Sequence, residues 1–187
     1  HGAYLHFLKT PLHPIDLGAD ICCDSAHKTL PVLTGGAYLQ ISKNAPESFV
    51  RNAKQAMILF GSTSPSYLIL SSLDLCNRYL SKTYRGRLAY MVEQIQKAKT
   101  TLKEQGWHVE ETEELKITIK VPDALGGLKL AELLRNNNIE CEYADDKYLV
   151  CMISPDNYAE ELEYLVDSLG ENVYGETADV HMSPLQS

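Results

Sequence analysis

From Tyr84 to Gln105 the chain carries one long amphipathic pattern, and that pattern divides everything around it. Leu88, Val92, Ile95 and Leu102 recur at helical spacing on one stripe, while Glu93, Gln94, Lys97, Thr100 and Glu104 lie away from it. Lys99 falls inside the stripe, and Gly106 ends the helix. The two stretches it separates differ in texture.

Upstream, short apolar strands are expected at about 20–24, with Ile21, Cys22 and Cys23, and at about 37–42, with Ala37, Leu39 and Ile41 alternating. A helix should run from Pro46 to about Leu59, placing Phe49, Ala53, Ala56 and Met57 on one face. Ser64 and Pro65 suit an N-cap and a first helical position. The helix they would start carries Leu68, Ile69, Leu73, Leu75 and Cys76, a surface broad enough to be buried on most sides. Downstream, Ile117, Ile119 and Val121 alternate with polar residues as a half-buried strand. Gly126-Gly127 leads a helix with Leu130, Leu133 and Leu134, and Asn136-Asn137-Asn138 supplies a turn. Tyr148 to Ile153 reads as a strand. Ser154 or Asp156 would cap a last helix with the stripe Tyr158, Leu162, Leu165 and Leu169. The expected organisation is 1–83, a helix at 84–106, a small α+β unit at 107–172 and a tail at 173–187.

Charge and cysteines exclude several classes. A net charge of −8 argues against nonspecific nucleic-acid binding, which needs a basic face. The most apolar stretch, Met57 to Leu75, is broken by Gly61, Pro65 and several serines, so no membrane span is expected. Nothing reads as a signal peptide, and a cytoplasmic location is expected. Five cysteines, Cys22, Cys23, Cys76, Cys141 and Cys151, show no C-x-x-C spacing and read as small buried hydrophobes. His1, His6, His13, His27, His108 and His181 lack the i, i+4 pairing of a helical metal site, so no metal is expected.

Chemistry concentrates at Ser25-Ala26-His27-Lys28, between the two upstream strands and followed by Thr29-Leu30-Pro31-Val32-Leu33-Thr34. A lysine withdrawn from water at such a place can lose its proton and attack a carbonyl. On spacing alone, a lysine snorkelling out of a loop is the favoured reading.

The segment resembles the Schiff-base segment of the Orn/Lys/Arg decarboxylases, the bacterial branch of the fold type I pyridoxal-phosphate enzymes. His1-Gly2-Ala3-Tyr4-Leu5-His6-Phe7 is similar to the end of that family's Asp-Glu-Ala-His-Gly segment. Gly18-Ala19-Asp20 matches its strand-leading Gly-Ala-Asp, and Ser62-Thr63-Ser64-Pro65-Ser66-Tyr67 its Ser-Pro turn. Leu130 to Arg135, Ile139 to Glu142 and Ala144-Asp145 are similar to its small domain. One departure is Gly35-Gly36, where many relatives have a glutamine after Leu-Thr.

The resemblance implies an α/β fold: the C-terminal part of a fold type I (aspartate aminotransferase-like) large domain, a connecting helix, then a small α+β domain. It implies pyridoxal 5'-phosphate as cofactor, Lys28 as the Schiff-base residue, and Ser25 and His27 as donors to the phosphate. Ser62 and Thr63 would reach the phosphate of a neighbouring subunit, making a homodimer, or a larger assembly, with a shared site. Simple capping explains Ser62 and Thr63 as well, and a turn serine and a loop histidine remain open for Ser25 and His27. His1 would face the substrate, a basic amino acid (arginine, lysine or ornithine) converted to its amine and CO2. Glu142, Asp145 and Asp146 are set aside as an acidic surface turn. Because the chain begins at His1, the aspartate that pairs with the pyridine nitrogen would precede it. The chain is expected to be part of an enzyme, inactive alone. An aminotransferase or aldolase of the same fold, or a non-catalytic dimerising remnant, stands as the alternative.

Overall fold

The computed structural model describes residues 1–180, which divide into two compact units, His1–Ala89 and a second from Tyr90 onward. In the first, a short 3-10 turn (Ala3–Phe7) buries Ala3 and Tyr4. Strands β1 (Ile21–Asp24) and β2 (Tyr38–Ile41) pair antiparallel, Ile21 opposite Ile41 and Asp24 opposite Tyr38. A single helical turn, α1 (Ala26–Thr29), follows β1 directly. Helix α2 (Glu47–Phe60) starts one residue after Pro46.

Helix α3 (Tyr67–Tyr79) begins later than the Ser64-Pro65 start expected from sequence. A residue before proline is disfavoured in the α region, and the Ser62 hydroxyl accepts the Ser64 N–H at 3.1 Å, so the chain turns there instead. Ser66 takes the cap position, and its carbonyl accepts from Leu70 N–H. The expectation that this helix is buried on most sides also fails. Only Cys76 is buried in α3, Leu68 is 74% exposed, and α2 buries none of its residues. The apolar pattern is present, but the first unit offers only a two-stranded sheet to receive it. Cys23 is exposed for the same reason, whereas Cys76 is buried as expected.

A widened π turn, Leu80–Tyr84, joins α3 to α4 (Arg85–Glu104), so helical backbone runs unbroken from Tyr67 through the expected 83/84 boundary. Gly106, at φ +95°, ends it.

The second unit holds a four-stranded antiparallel sheet in the order β3-β4-β6-β5. Its strands are β3 (His108–Glu110), β4 (Lys116–Lys120), β5 (Tyr143–Ala144) and β6 (Tyr148–Met152). Ile117 and Ile119 are fully buried opposite Cys151 and Leu149, which is the alternation that the sequence shows. Helix α5 (Gly127–Asn136) contributes Leu130, Ala131 and Leu134 to this core, and Asn138, at φ +58°, turns the chain after it. Helix α6 (Ala159–Val180) contributes Leu162, Leu165, Val166 and Leu169. Tyr158 is not part of that stripe. It precedes the helix, 71% exposed, and donates its N–H to the Glu161 carboxylate, half of a capping box. Helical backbone continues to Val180, past the expected tail boundary at 173; positions 181–187 lie outside the described residues. No described helix is long and apolar enough to cross a membrane.

Lys99 interrupts the α4 stripe at a cost. It is 3% exposed, and burial pushes its amine below the usual lysine range, against the opposing pull of Glu111 and Glu114. Lys99→Met should therefore stabilise the chain by about 1 kcal/mol at neutral pH, read as a higher thermal midpoint. The folded wild type gives up the Lys99 proton before the unfolded chain does, so its stability rises through the alkaline range. The gap to the Met variant should narrow there. A lower midpoint for Lys99→Met at neutral pH would show that the two glutamates outweigh burial.

Candidate functional site

The turn α1 is pinned from below by apolar side chains and from the side by one carbonyl. Ala26 is fully buried and Leu30 nearly so, with Leu30 N–H donating to Ala26 O at 2.8 Å. His27 gives both its backbone N–H (3.2 Å) and its Nδ1–H (3.0 Å) to Gly36 O. This explains the glycine pair. A Cβ on Gly36 would stand 2.3 Å from Val32 Cγ1, and Gly35 sits at φ +91°. Gly35-Gly36 is thus the fold's means of bringing a carbonyl to His27.

Ser25, His27 and Lys28 fall together in this turn. Ser25 occupies the cap position with no side-chain capping bond, and the Lys28 N–H donates to Ser25 O at 3.0 Å. Ser25 and His27 are half-buried. Lys28 is exposed, not withdrawn from water as the sequence-based expectation would ask. Ser62 and Thr63 are exposed on the separate turn between α2 and α3, and among the described residues no hydrogen bond links them to Ser25–Lys28. His1 is an exposed terminal residue.

Sequence reasoning missed what lies at the root of the turn. Asp24, 3% exposed, accepts from His13 Nε2–H (2.9 Å) and from the Gln40 amide on β2. His13, fully buried, accepts the Ile15 N–H on Nδ1 (3.2 Å). The Gln40 Oε1 lies 2.9 Å from His6 Nε2, and His6 Nδ1 lies 2.7 Å from Asp16 Oδ2. The His6 and His13 rings stack with centroids 3.7 Å apart. Cys22 touches Asp24 through its thiol (3.7 Å), and burial, reinforced by that carboxylate, pushes the thiol up. His6, His13 and Asp16, and likewise His13, Cys22 and Asp24, are close enough for a cation. The stacked rings are 22° from parallel, however, so their in-plane lone pairs do not converge, and each ring nitrogen already has a partner. The available signal was a polar residue, Gln40, between Leu39 and Ile41, and a carboxylate closing the apolar strand at Asp24. On the same side, a cleft of about 340 Å³ is lined by His6, Phe7, Tyr38 and Gln40. The Tyr38 hydroxyl lies 3.0 Å from Asn77 Oδ1, and burial pushes it up to about 12.

Comparison with known proteins identifies the family of the chain. The family model for the Orn/Lys/Arg decarboxylase major domain matches residues 1–124. The uncharacterised protein YaaO of Bacillus subtilis (strain 168) is 31% identical over 166 residues, 82% of this chain and 34% of YaaO. An arginine decarboxylase of Halalkalibacterium halodurans is 26% identical, over 97% of this chain and 38% of the relative. The chain thus spans little more than a third of the length of the curated relatives it matches. The crystal structure of the Francisella novicida lysine decarboxylase LdcF superposes with a TM-score of 0.72 at 16% identity, covering 95% of this chain and 32% of that one. At that identity the likeness speaks for the fold, which is the α/β fold of the fold type I enzymes. A match across the first two-thirds of the chain, on the segment that builds the Ser25–Lys28 turn, places this protein in the Orn/Lys/Arg decarboxylase family.

Proposed function

We propose that this chain is the lysine-bearing part of a pyridoxal-phosphate-dependent decarboxylase that acts on arginine, lysine or ornithine. The observation that carries the reading is the Ser25–Lys28 turn, in which a hydroxyl, an imidazole and a primary amine share one pinned helical turn. These residues fit the cofactor. The Ser25 hydroxyl is not spent on capping, the Lys28 amine is accessible, and the His27 Nε2 is left over once Nδ1–H is given to Gly36.

Bound pyridoxal phosphate would supply the electron sink that lets an amino acid lose its carboxylate as CO2. Lys28 would hold it covalently through its amine. Ser25 would donate its O–H to a phosphate oxygen. His27 can add a donor there only as an imidazolium, because Gly36 already takes Nδ1–H. A hydrogen bond from such a donor to a phosphate oxygen is of the stronger, charge-assisted kind. His1 would lie on the substrate side, and Ser62 and Thr63 would serve the phosphate of a partner subunit in a cytoplasmic homodimer.

Full-length protein assayed with each of the three amino acids should release CO2 and the matching amine from at least one of them. Formation of a keto acid without CO2 would point to an aminotransferase and overturn the reading.

A further inference from the structure

A single helical turn cannot hold its own direction. The four residues of α1 make too few internal bonds to form a helix alone, so its aim is set by what grips it from outside. On the far side those grips are Leu30, buried in the core, and His27 on Gly36 O. On the entry side the Ser25 hydroxyl makes no capping bond, and the polar grip is one residue earlier, at Asp24, the last residue of β1.

Asp24 is 3% exposed, and among the described residues no lysine or arginine pairs with it. An apolar side chain would fill the same space without the penalty of burying a carboxylate. What the carboxylate adds is direction, because its hydrogen bonds constrain angle as well as distance. Its donors come from three places: His13 Nε2–H in the loop before β1 at 2.9 Å, the Gln40 amide on β2, and the Cys22 thiol on β1 at 3.7 Å. Two of them are braced in turn. His13 accepts the Ile15 N–H on Nδ1 and stacks on the His6 ring, and Gln40 Oε1 accepts from His6 Nε2 at 2.9 Å. The strand register makes the tie possible. Cys22 lies opposite Gln40 and Asp24 opposite Tyr38, so Asp24 and Gln40 meet diagonally on one face of the sheet.

We propose that Asp24 is a positioning residue for Lys28. Held by His13 and Gln40, it fixes the direction in which the chain leaves β1, and with it the point from which the lysine side chain starts. That Lys28 is the residue worth positioning rests on the function proposed above; the tie itself does not.

Amide exchange of the full-length protein without cofactor reads the tie. Asp24→Leu keeps the bulk and removes the acceptor, and should speed exchange in the peptide 25–30 roughly ten- to hundredfold, the loss expected when hydrogen bonds to a buried charge are broken. Leu88→Ala opens a cavity elsewhere in the same unit and should speed exchange there with no preference for that peptide. Asp24→Asn can keep one oxygen on both His13 and Gln40, and should stay within about threefold of the wild type. Borohydride trapping of pyridoxal phosphate on Lys28 should be roughly tenfold slower in Asp24→Leu and restored in Asp24→Asn. The proposal is overturned by exchange in 25–30 that Asp24→Leu leaves unchanged, or raises only in step with the rest of the unit. It is equally overturned if trapping keeps its wild-type rate while exchange speeds up, or if Asp24→Asn behaves like Asp24→Leu. Should Asp24→Leu fail to fold, Gln40→Met removes one donor and leaves His13 in place; selective acceleration of the same peptide supports the tie, and none overturns it. A wild type that traps no cofactor on Lys28 would sink the functional reading, and exchange would still decide whether Asp24 holds the turn.

Discussion

Replacing Lys28 by alanine is expected to end covalent attachment of pyridoxal phosphate and to lower decarboxylation by the full-length protein at least about a thousandfold. No other amine lies in the Ser25–Leu30 turn, and the turn itself should survive, since Ala26, Leu30 and the two His27 bonds hold it without the lysine side chain. Lys28→Arg separates amine from charge. It preserves the cation, but a guanidinium stays protonated and does not condense with an aldehyde, so it should fare no better than alanine. Ser25→Ala should be far milder, roughly tenfold, because it removes one donor among several to a phosphate. Borohydride reduction followed by peptide mass mapping checks the site directly. A cofactor mass on the peptide of another lysine, or visible cofactor absorbance retained by Lys28→Ala, would remove Lys28 from its role.

Local rules carried the sequence reading far where an element's neighbours are close in the chain. The alternation at Ile117 and Ile119 and the stripe of Leu88, Ile95 and Leu102 all end fully buried. The Ser25–Lys28 segment was legible as a chemical unit because its groups lie within four consecutive positions. What escaped was long-range. His6 and Gln40 are 34 residues apart, and only the β1–β2 register, Cys22 opposite Gln40, brings the amide to Asp24. The apolar surfaces of α2 and α3 show the converse limit. Periodicity states that Leu68 or Met57 belongs against something, but not whether this chain contains it, and they stand 74% and 49% exposed. Ser64-Pro65 misled because serine suits a cap and a turn alike, and the Ser62 hydroxyl decided for the turn.

Gly126-Gly127 was read from the sequence only as a leader to a helix, and the structure gives its two members different work. Gly126 sits at φ +76° with open space around a would-be Cβ, its nearest contact being Asp146 O at 3.8 Å. With ψ at 142° this is backbone that residues other than glycine hardly adopt, so Gly126→Ala should cost about 2 kcal/mol in strain alone. Gly127 has no such conformation, yet a Cβ there would stand 2.3 Å from Asp145 O and 2.5 Å from Tyr148 O, both backbone. Those carbonyls belong to the turn between β5 and β6, and that turn is rigid: Asp145 Oδ1 accepts from Lys147 and Tyr148 N–H at 2.8 Å each. These bonds also hold the Asp145 carboxyl below the usual range. The helix cannot retreat either, because Leu130, Ala131 and Leu134 fix it on the sheet. Gly127→Ala should therefore destabilise the chain by roughly 3 kcal/mol or more, after subtracting the fraction of a kcal/mol that alanine gains in a helix. Urea unfolding of the two variants side by side distinguishes contact from conformation. A Gly127→Ala midpoint at or above that of Gly126→Ala would mean that α5 and the β5–β6 turn are not in backbone contact.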